Sequence, residues 1–247
     1  MINVLVIIPT IGGPDLRRAV DSVLAQDYKT WCLVVTDGLQ YVDKVNEQLK
    51  DMPTWSRFFR CDLPFNTGQG GWYGQRIMTA FSYLNDFDYV MFLDQDVWLD
   101  ADHVSSLVKL IQDSGSDWVY SLRKIYDKNG NYLCEDNCES LGKWPIWHSQ
   151  DQHLVDNNCY FFKGDFLKSI APNLYWGWGA DRRLFMMMKD TTNYACSGQY
   201  TVNYKLGGNE GSVQEDFFKE GNRVMRERYS LTGFPWRNTI IDLPFKV

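Results

Sequence analysis

The sequence predicts an α/β fold layered around a mainly parallel sheet, and three observations carry that prediction. Unbroken apolar runs of strand length recur at Val4–Ile8, Trp31–Val35 and Tyr89–Leu93. Strands buried on both faces, as in parallel sheets, read as continuous runs rather than alternating ones. Segments with apolar residues at helical spacing separate the runs, and each run stops on Pro, Gly or Asp. Strand–helix alternation of this kind builds a layered α/β domain with right-handed crossovers.

The elements follow in order. The first run is cut by Pro9 and the pair Gly12-Gly13. Pro14 then opens a helix whose Leu16, Ala19, Val20, Val23 and Leu24 share one face, with Asp15 suited to its first turn. The second run breaks at Asp37-Gly38, and a weaker helix passes through Val42, Val45 and Leu49. Arg57 to Cys61 reads as a short strand. Behind the glycine-rich stretch Asn66–Gly74, the residues Ile77, Ala80, Phe81 and Leu84 mark a helix. The third run ends at Asp94-Gln95-Asp96. In the helix that follows, Asp100 caps, Leu99 staples onto Val104, and Val104, Leu107, Val108 and Ile111 form the apolar face. His103, in its first turn, is expected to face solvent.

The second half is more mixed. Trp118 to Leu122 reads as a strand, and Asn129-Gly130 between Ile125-Tyr126 and Tyr132-Leu133 is a hairpin signal. Cys159 to Phe162 and Gln199 to Leu206 are strand-like; Leu184 to Lys189 and Glu215 to Arg228 are helical. No repeat or linker interrupts the 247 residues, so one domain with an elaborated second half is expected.

Composition narrows the partners. Lys and Arg total 25 against 31 Asp and Glu, a formal net charge of −6, which disfavours nucleic-acid backbone as a ligand. An anionic ligand would need a metal or a local cluster of donors. The apolar runs fall far short of the ~18 residues of a spanning helix, so no transmembrane segment is expected. The N-terminus lacks a basic region and does not read as a signal peptide. The six cysteines, Cys32, Cys61, Cys134, Cys138, Cys159 and Cys196, form no CxxC pair and no zinc spacing. They read as reduced thiols of a cytoplasmic protein.

Polar residues gather where the strands end. Ligands of open α/β sheets sit beyond the carboxyl ends of the strands, and three such ends carry Pro9-Thr10, Asp37-Gly38 and Asp94-Gln95-Asp96. Asp94 and Asp96 can offer oxygen ligands to Mg²⁺ or Mn²⁺, ions that commonly bridge to phosphates; a solvated turn is the plainer alternative. A DxD after a strand also occurs in haloacid dehalogenase-type phosphatases. There it follows the first strand, and a Thr or Val stands where this chain has Trp98. The stretch Asn66–Gly74 could cradle phosphate but is neither a P-loop nor a Rossmann loop. Arg76 behind it suits a diphosphate, or is a surface residue. Trp176 and Trp178, interleaved with Gly177 and Gly179, can stack on a sugar ring or pack in the core. Asp181 either complements a helix dipole or acts as a general base. His148 and His153 flank Asp151, with Asp156 close by, which admits a metal site.

Taken together the residues resemble a GT-A-fold glycosyltransferase of family 2. Val6–Thr10 resembles the family's opening strand and turn, and Leu24–Tyr28 its helix end. Val34–Gly38 is similar to the second strand, and Asn66-x-Gly68 with Gly74-x-Arg76 to the next segment. Phe92–Asp96 resembles the DXD strand, and Trp176–Asp181 the acceptor-side segment.

The resemblance implies a three-layer sandwich whose central, mainly parallel sheet gains an antiparallel elaboration in the second half. It implies a single GT-A-like domain over 1–247: a nucleotide-binding half (1–100), an acceptor-side half (101–213), and a C-terminal helix and tail (214–247). The implied reaction moves a sugar, with inversion, from a nucleotide-diphosphate donor (UDP by family habit) to a glycan or other hydroxyl acceptor. By position, Pro9, Thr10, Asp37, Asn66, Arg76 and Asp94 would bind the nucleotide. Asp96 and Asp94 would hold Mn²⁺ or Mg²⁺, with His153 and then Asp156 as weaker third ligands. Asp181 would be the base and Trp176 and Trp178 the acceptor pocket. Ile77 and Ala180 depart from the family pattern. The alternatives are a nucleotidyltransferase, which shares the layered fold, and a carbohydrate- or nucleotide-binding protein without turnover. The aromatic tail, with Phe217, Phe218, Phe234, Trp236 and Phe245, is expected to pack on the core, cover the acceptor cleft or serve an interface.

Overall fold

The apolar runs become strands because each can be buried on both faces. A computed structural model describes residues 2–52, 57–208 and 213–243. In chain order its elements begin β1 (Val4–Thr10), α1 (Leu16–Leu24), β2 (Thr30–Thr36), α2 (Val42–Gln48), β3 (Phe58–Asp62), α3 (Gln75–Tyr83), β4 (Tyr89–Phe92) and β5 (Val97–Leu99). They continue α4 (His103–Ser114), β6 (Trp118–Tyr126), β7 (Tyr132–Glu135), β8 (Tyr160–Lys163), α5 (Gly164–Ile170), α6 (Ala180–Met188), β9 (Tyr194–Lys205), α7 (Glu215–Arg228) and β10 (Ile240–Asp242). The chain divides into two compact units, Met1–Ser105 with Phe161–Ala180, and Ser106–Tyr160 with Asp181–Val247.

In the first unit β1 lies between β2 and β4, parallel to both, and β3 extends the parallel set beyond β2. β8 runs antiparallel to β4. Val4 to Ile8 are all buried, as both-face burial requires. The register pairs Thr10 with Thr36 and Ile7 with Phe92, so the carboxyl ends of β1, β2 and β4 open on the same side of this sheet. That common side is where Thr10, Asp37 and Asp94 emerge. α1 buries Leu16, Ala19, Val20, Val23 and Leu24, the face its spacing predicts.

Two details overturn sequence expectations. α3 buries Gln75, Ile77, Met78 and Ser82, whereas Leu84 lies past its end and is exposed, as is Ala80. Gly74 lets the helix start pack on Pro9, whose Cγ would lie 3.1 Å from a Cβ there. His103 is fully buried rather than solvent-facing, and burial pushes its imidazole down to about 3, so it is neutral.

In the second unit β9 runs parallel to β6, while β7 and β10 are antiparallel additions to β6 and β9. The Asn129-Gly130 hairpin forms as expected, with Gly130 at φ 85°. Trp118 anchors this core: it stacks on Tyr194 at 4.6 Å and donates its indole N–H to Thr192 Oγ1 at 2.8 Å. The aromatic tail packs inward. Phe218 and Trp236 are buried, and Trp236 donates to Asn137 Oδ1 at 3.0 Å; Phe245 falls outside the described residues. All six cysteines are free. Among the described residues no helix is long and apolar enough to cross a membrane.

Candidate active site

The strand ends of the first unit are tied together by two side-chain acceptors. Gln95, between the two aspartates that follow β4, is one. Its Oε1 accepts the Thr10 hydroxyl at 2.6 Å, the Gly13 N–H at 2.9 Å and the Ile11 N–H at 3.1 Å. Thr10 Oγ1 in turn accepts the Gly12 N–H at 2.9 Å. A β-carbon on Gly13 would come within 2.8 Å of the Gln95 carboxamide, so the glycine permits the latch. The backbone N–H groups of Ile11, Gly12 and Gly13 are therefore spent within the protein.

Asp37 is the second acceptor. Its Oδ1 takes the Thr67 N–H at 2.6 Å and the Thr67 hydroxyl at 2.8 Å, and its Oδ2 takes the Gly68 N–H at 2.9 Å. Its own N–H donates to the Thr10 carbonyl at 2.8 Å. The glycine-rich stretch is thus a loop folded onto a buried carboxylate, and the amides of Thr67 and Gly68 do not line an open phosphate cradle. Gly68 cannot carry a side chain, because its β-carbon would meet the Tyr73 carbonyl oxygen at 2.6 Å. Asn66 Oδ1 accepts the Gln69 N–H at 3.0 Å.

Arg76 is no solitary surface residue. Its Nη1 donates to the Thr67 carbonyl at 3.1 Å, and its guanidinium lies 4.1 Å from the Trp72 ring centre. Trp72 in turn packs on Tyr175 at 4.5 Å. The Nε–H of Arg76 is buried with no acceptor among the described residues. Next to Tyr175, Trp176 is 48% exposed and Trp178 75% exposed, so neither indole is a core residue. The first unit therefore links Gln95, Thr10, Asp37, Thr67, Arg76, Trp72 and Tyr175 by direct contact. This line runs from the flanks of Asp94 and Asp96 to the exposed tryptophans.

Asp94 and Asp96 are half-buried. Among the described residues no group of three or more His, Cys, Asp or Glu side chains is placed to hold a metal. Two carboxylates nonetheless fit a hard divalent cation, which is commonly held by one or two carboxylates and completed by phosphate oxygens and water. The proposed third ligands fare differently. The His153 ring nitrogen Nδ1 sits 3.3 Å from the Gly142 carbonyl oxygen. Both oxygens of Asp156 serve the fold, bonding Arg123 through Oδ2 and Asn158 through Oδ1.

In the second unit Asp181 stands in the first turn of α6 and accepts the Arg182 N–H at 2.8 Å. Burial and the nearby Asp156 carboxylate push its pKa up to about 6, against the pull of the Arg182 N–H and of Arg123. A carboxylate of that strength is suited to take a proton near neutral pH. Behind it lies a group the sequence reading missed. Arg123, fully buried in β6, donates to Asp136 at 2.8 Å, to Glu139 at 2.6 Å and to Asp156. The available signal was an arginine beside Lys124 at the end of the apolar run from Trp118 to Leu122, and an arginine must be paired to be buried. Gln95, Trp72 and Tyr175 were also missed; Gln95 counted only as a spacer between aspartates.

The sequence pattern described as Glycosyl transferase family 2 matches residues 5–167. No curated protein matches the chain at a significant level. Among solved structures, the 1–349 portion of S. aureus TarS in complex with UDP-GlcNAc superposes with a TM-score of 0.59 at 14% identity, over 94% of this chain and 68% of that one. The same portion in complex with UDP gives 0.56 at 15% identity, over 94% and 67%. A longer TarS structure gives 0.57 at 16% identity, and this chain spans 40% of it. At such identities the likeness is one of fold, and it agrees with the layered α/β architecture of GT-A type.

Proposed function

The chain belongs to glycosyl transferase family 2 and is a glycosyltransferase, and we propose that it transfers a sugar, with inversion, from a UDP-linked donor to a hydroxyl of a glycan acceptor. The contact line through Gln95, Thr10, Asp37, Thr67 and Arg76 carries this reading, because it joins residues from three strand ends on one side of one sheet. The TarS complexes with UDP and UDP-GlcNAc support a nucleotide-sugar donor. The single-domain reading of 1–247 is part of this proposal.

Pro9, Thr10, Asp37 and Asn66 shape the nucleotide side, Thr10 and Asp37 by holding the loops around it. The unused Nε–H of Arg76 suits a phosphate oxygen. Asp94 and Asp96 are the residues that would hold Mn²⁺ or Mg²⁺. When bound there, the cation neutralises the charge of the departing diphosphate. Trp176 and Trp178 offer exposed indole faces to the acceptor. Asp181 takes the acceptor hydroxyl proton as the oxygen attacks the anomeric carbon opposite the diphosphate; the bond from that carbon to the β-phosphate oxygen breaks, its electrons leaving with the diphosphate. One carboxylate suffices for this displacement. Six free thiols suit the cytoplasm as its setting.

A nucleotidyltransferase would use the loop after β1 to cradle a triphosphate. Here the amides of Ile11, Gly12 and Gly13 are already bonded to Gln95 and Thr10, which weighs against that alternative.

The test is thermal stability with UDP, GDP, TDP, ADP and CMP, each with and without Mn²⁺. A ligand that binds the native state raises the melting temperature. A shift with UDP that needs Mn²⁺ and is lost in Asp96→Ala supports the reading. A shift with none of them, or an equal shift in Asp96→Ala, overturns the donor or metal assignment respectively.

A further inference from the structure

The first turn of α3 holds a buried acceptor that the fold leaves without a donor. Gln75 is 7% exposed, and its Oε1 is closed to solvent with no hydrogen-bond partner among the described residues. A buried polar atom without a partner costs stability, so native folds keep few of them. Gln75 shares one stripe of α3 with Met78 and Ser82. The Ser82 hydroxyl is satisfied within the helix, donating to the Met78 carbonyl at 2.7 Å. The Gln75 oxygen has no such local answer.

Its position gives the oxygen a direction. Helical side chains lean toward the helix N-terminus, so from the first position of α3 the carboxamide is directed past the helix end. Gly74, just before it, packs on the end of β1: a β-carbon there would lie 3.0 Å from the Pro9 Cβ. Gln75 therefore stands at the carboxyl ends of the strands, on the side where Thr10, Asp37 and Asp94 emerge. Its neighbour Arg76 carries the second orphan of this turn, the buried Nε–H. The N-cap residue Gly74 supplies no side-chain cap. The helix end thus presents donors, from its first turn and from Arg76, beside one acceptor. Phosphate oxygens suit those donors, whereas the carboxamide oxygen needs an N–H or O–H. Gln95 Oε1 and both Asp37 oxygens are already taken by loop amides and hydroxyls.

We propose that Gln75 is a binding residue for the donor substrate: its Oε1 accepts a hydrogen bond from an N–H or O–H of the nucleotide sugar, beside the diphosphate. The nucleoside and the transferred sugar both offer such hydrogens. The inference rests on the strand ends of the first unit being a nucleotide-sugar site.

The test compares wild type with Gln75→Met, which keeps the chain length and removes the carboxamide, and with Gln75→Leu as a second replacement. Without ligand, both variants are expected to melt at or above the wild-type temperature, because an unpaired buried oxygen has been removed. Variants that melt several degrees lower, or do not fold, overturn the proposal, since the carboxamide would then be holding the fold. Calorimetric titration with Mn²⁺ present then measures the binding of UMP, UDP and UDP-GlcNAc. Weakening by about fivefold or more for all three ligands supports the proposal and places the contact on the nucleoside. Weakening confined to UDP-GlcNAc supports it with the contact on the sugar. Weakening for UDP and UDP-GlcNAc but not UMP places the contact on the β-phosphate and overturns the acceptor role. Affinities within about twofold of wild type for all three overturn the proposal while leaving the nucleotide-sugar reading intact. If wild type itself binds none of them, that reading fails, and the inference built on it fails with it.

Discussion

Replacing Gln95 by Leu removes one acceptor that serves three donors and keeps the side-chain volume. A net intramolecular hydrogen bond contributes ~0.5–1.5 kcal/mol, and a buried donor left unpaired costs more. The Ile11 N–H regains water, because Ile11 is exposed. The Thr10 hydroxyl does not, because Thr10 is buried. Together these place the loss at about 2–3 kcal/mol. For a chain of this size that lowers the melting temperature by ~5–10 °C. Urea titration at pH 7 measures it, and Thr10→Val with the double variant isolates the Thr10–Gln95 term, expected at about 1 kcal/mol. The loop after β1 also loses its anchor, so donor KM should rise in parallel. A Gln95→Leu protein within ~0.5 kcal/mol of wild type would refute the latch, since that is the range of substitutions that disturb nothing.

Further outcomes follow from burial and charge. Asp181→Asn keeps the acceptor for the Arg182 N–H and removes a carboxylate that burial raises to about 6 from 3.8. The ionised form costs stability above pH 6 and nothing below 3.8, so at pH 8 the variant should be inactive yet more stable by about 1–2 kcal/mol, after discounting for partial exposure. Equal stability at pH 8 and pH 4 relative to wild type would contradict the raised acidity. His103 is neutral in the fold down to about pH 3, whereas the unfolded chain protonates near 6.5. Stability is therefore lost as pH falls below 6.5, by up to ~1.4 kcal/mol per unit. Denaturation of wild type against His103→Gln from pH 7 to 4.5 should show that difference; parallel curves would not. Trp178→Ala should change stability by less than ~0.5 kcal/mol, because the indole is exposed, yet raise acceptor KM; an unchanged KM removes Trp178 from the acceptor pocket.

The first unit was legible because its strands obey one simple rule. Runs buried on both faces cannot hide their period, and β1, β2 and β4 lie where the apolar runs do. Strand ends in the second unit were misjudged where polar residues are buried with partners. β6 was expected to stop at Leu122, yet it continues to Tyr126 because Arg123 is neutralised inside the sheet. His103 was misplaced for a related reason: a helix first turn is commonly solvated, and nothing local signals that this one is covered. The candidate residues were found by type and spacing, but not what they hold. Thr10 and Asp37 read as ligand contacts, whereas the fold occupies their oxygens with loop amides. Such pairings join positions far apart in the chain, and no spacing encodes them.

The attachment of the glycine-rich loop to Asp37 has a consequence for altering this enzyme. The loop is held on Asp37 by Thr67 and the Gly68 amide and from the other side by Arg76 on Trp72, and no side-chain hydrogen bond of Gln69 or Tyr73 takes part in that hold. Gly70 and Gly71 have open space where a side chain would begin, although their positive φ angles favour glycine or asparagine. Randomising Gln69 and Tyr73, with Asn admitted at Gly70 and Gly71 and Trp72 kept beneath Arg76, would vary the chemistry presented on this rim while the anchoring carboxylate and the strands beneath it stay untouched. The loop is in that sense a replaceable cassette, fixed at its root and at Trp72 and variable at its tip.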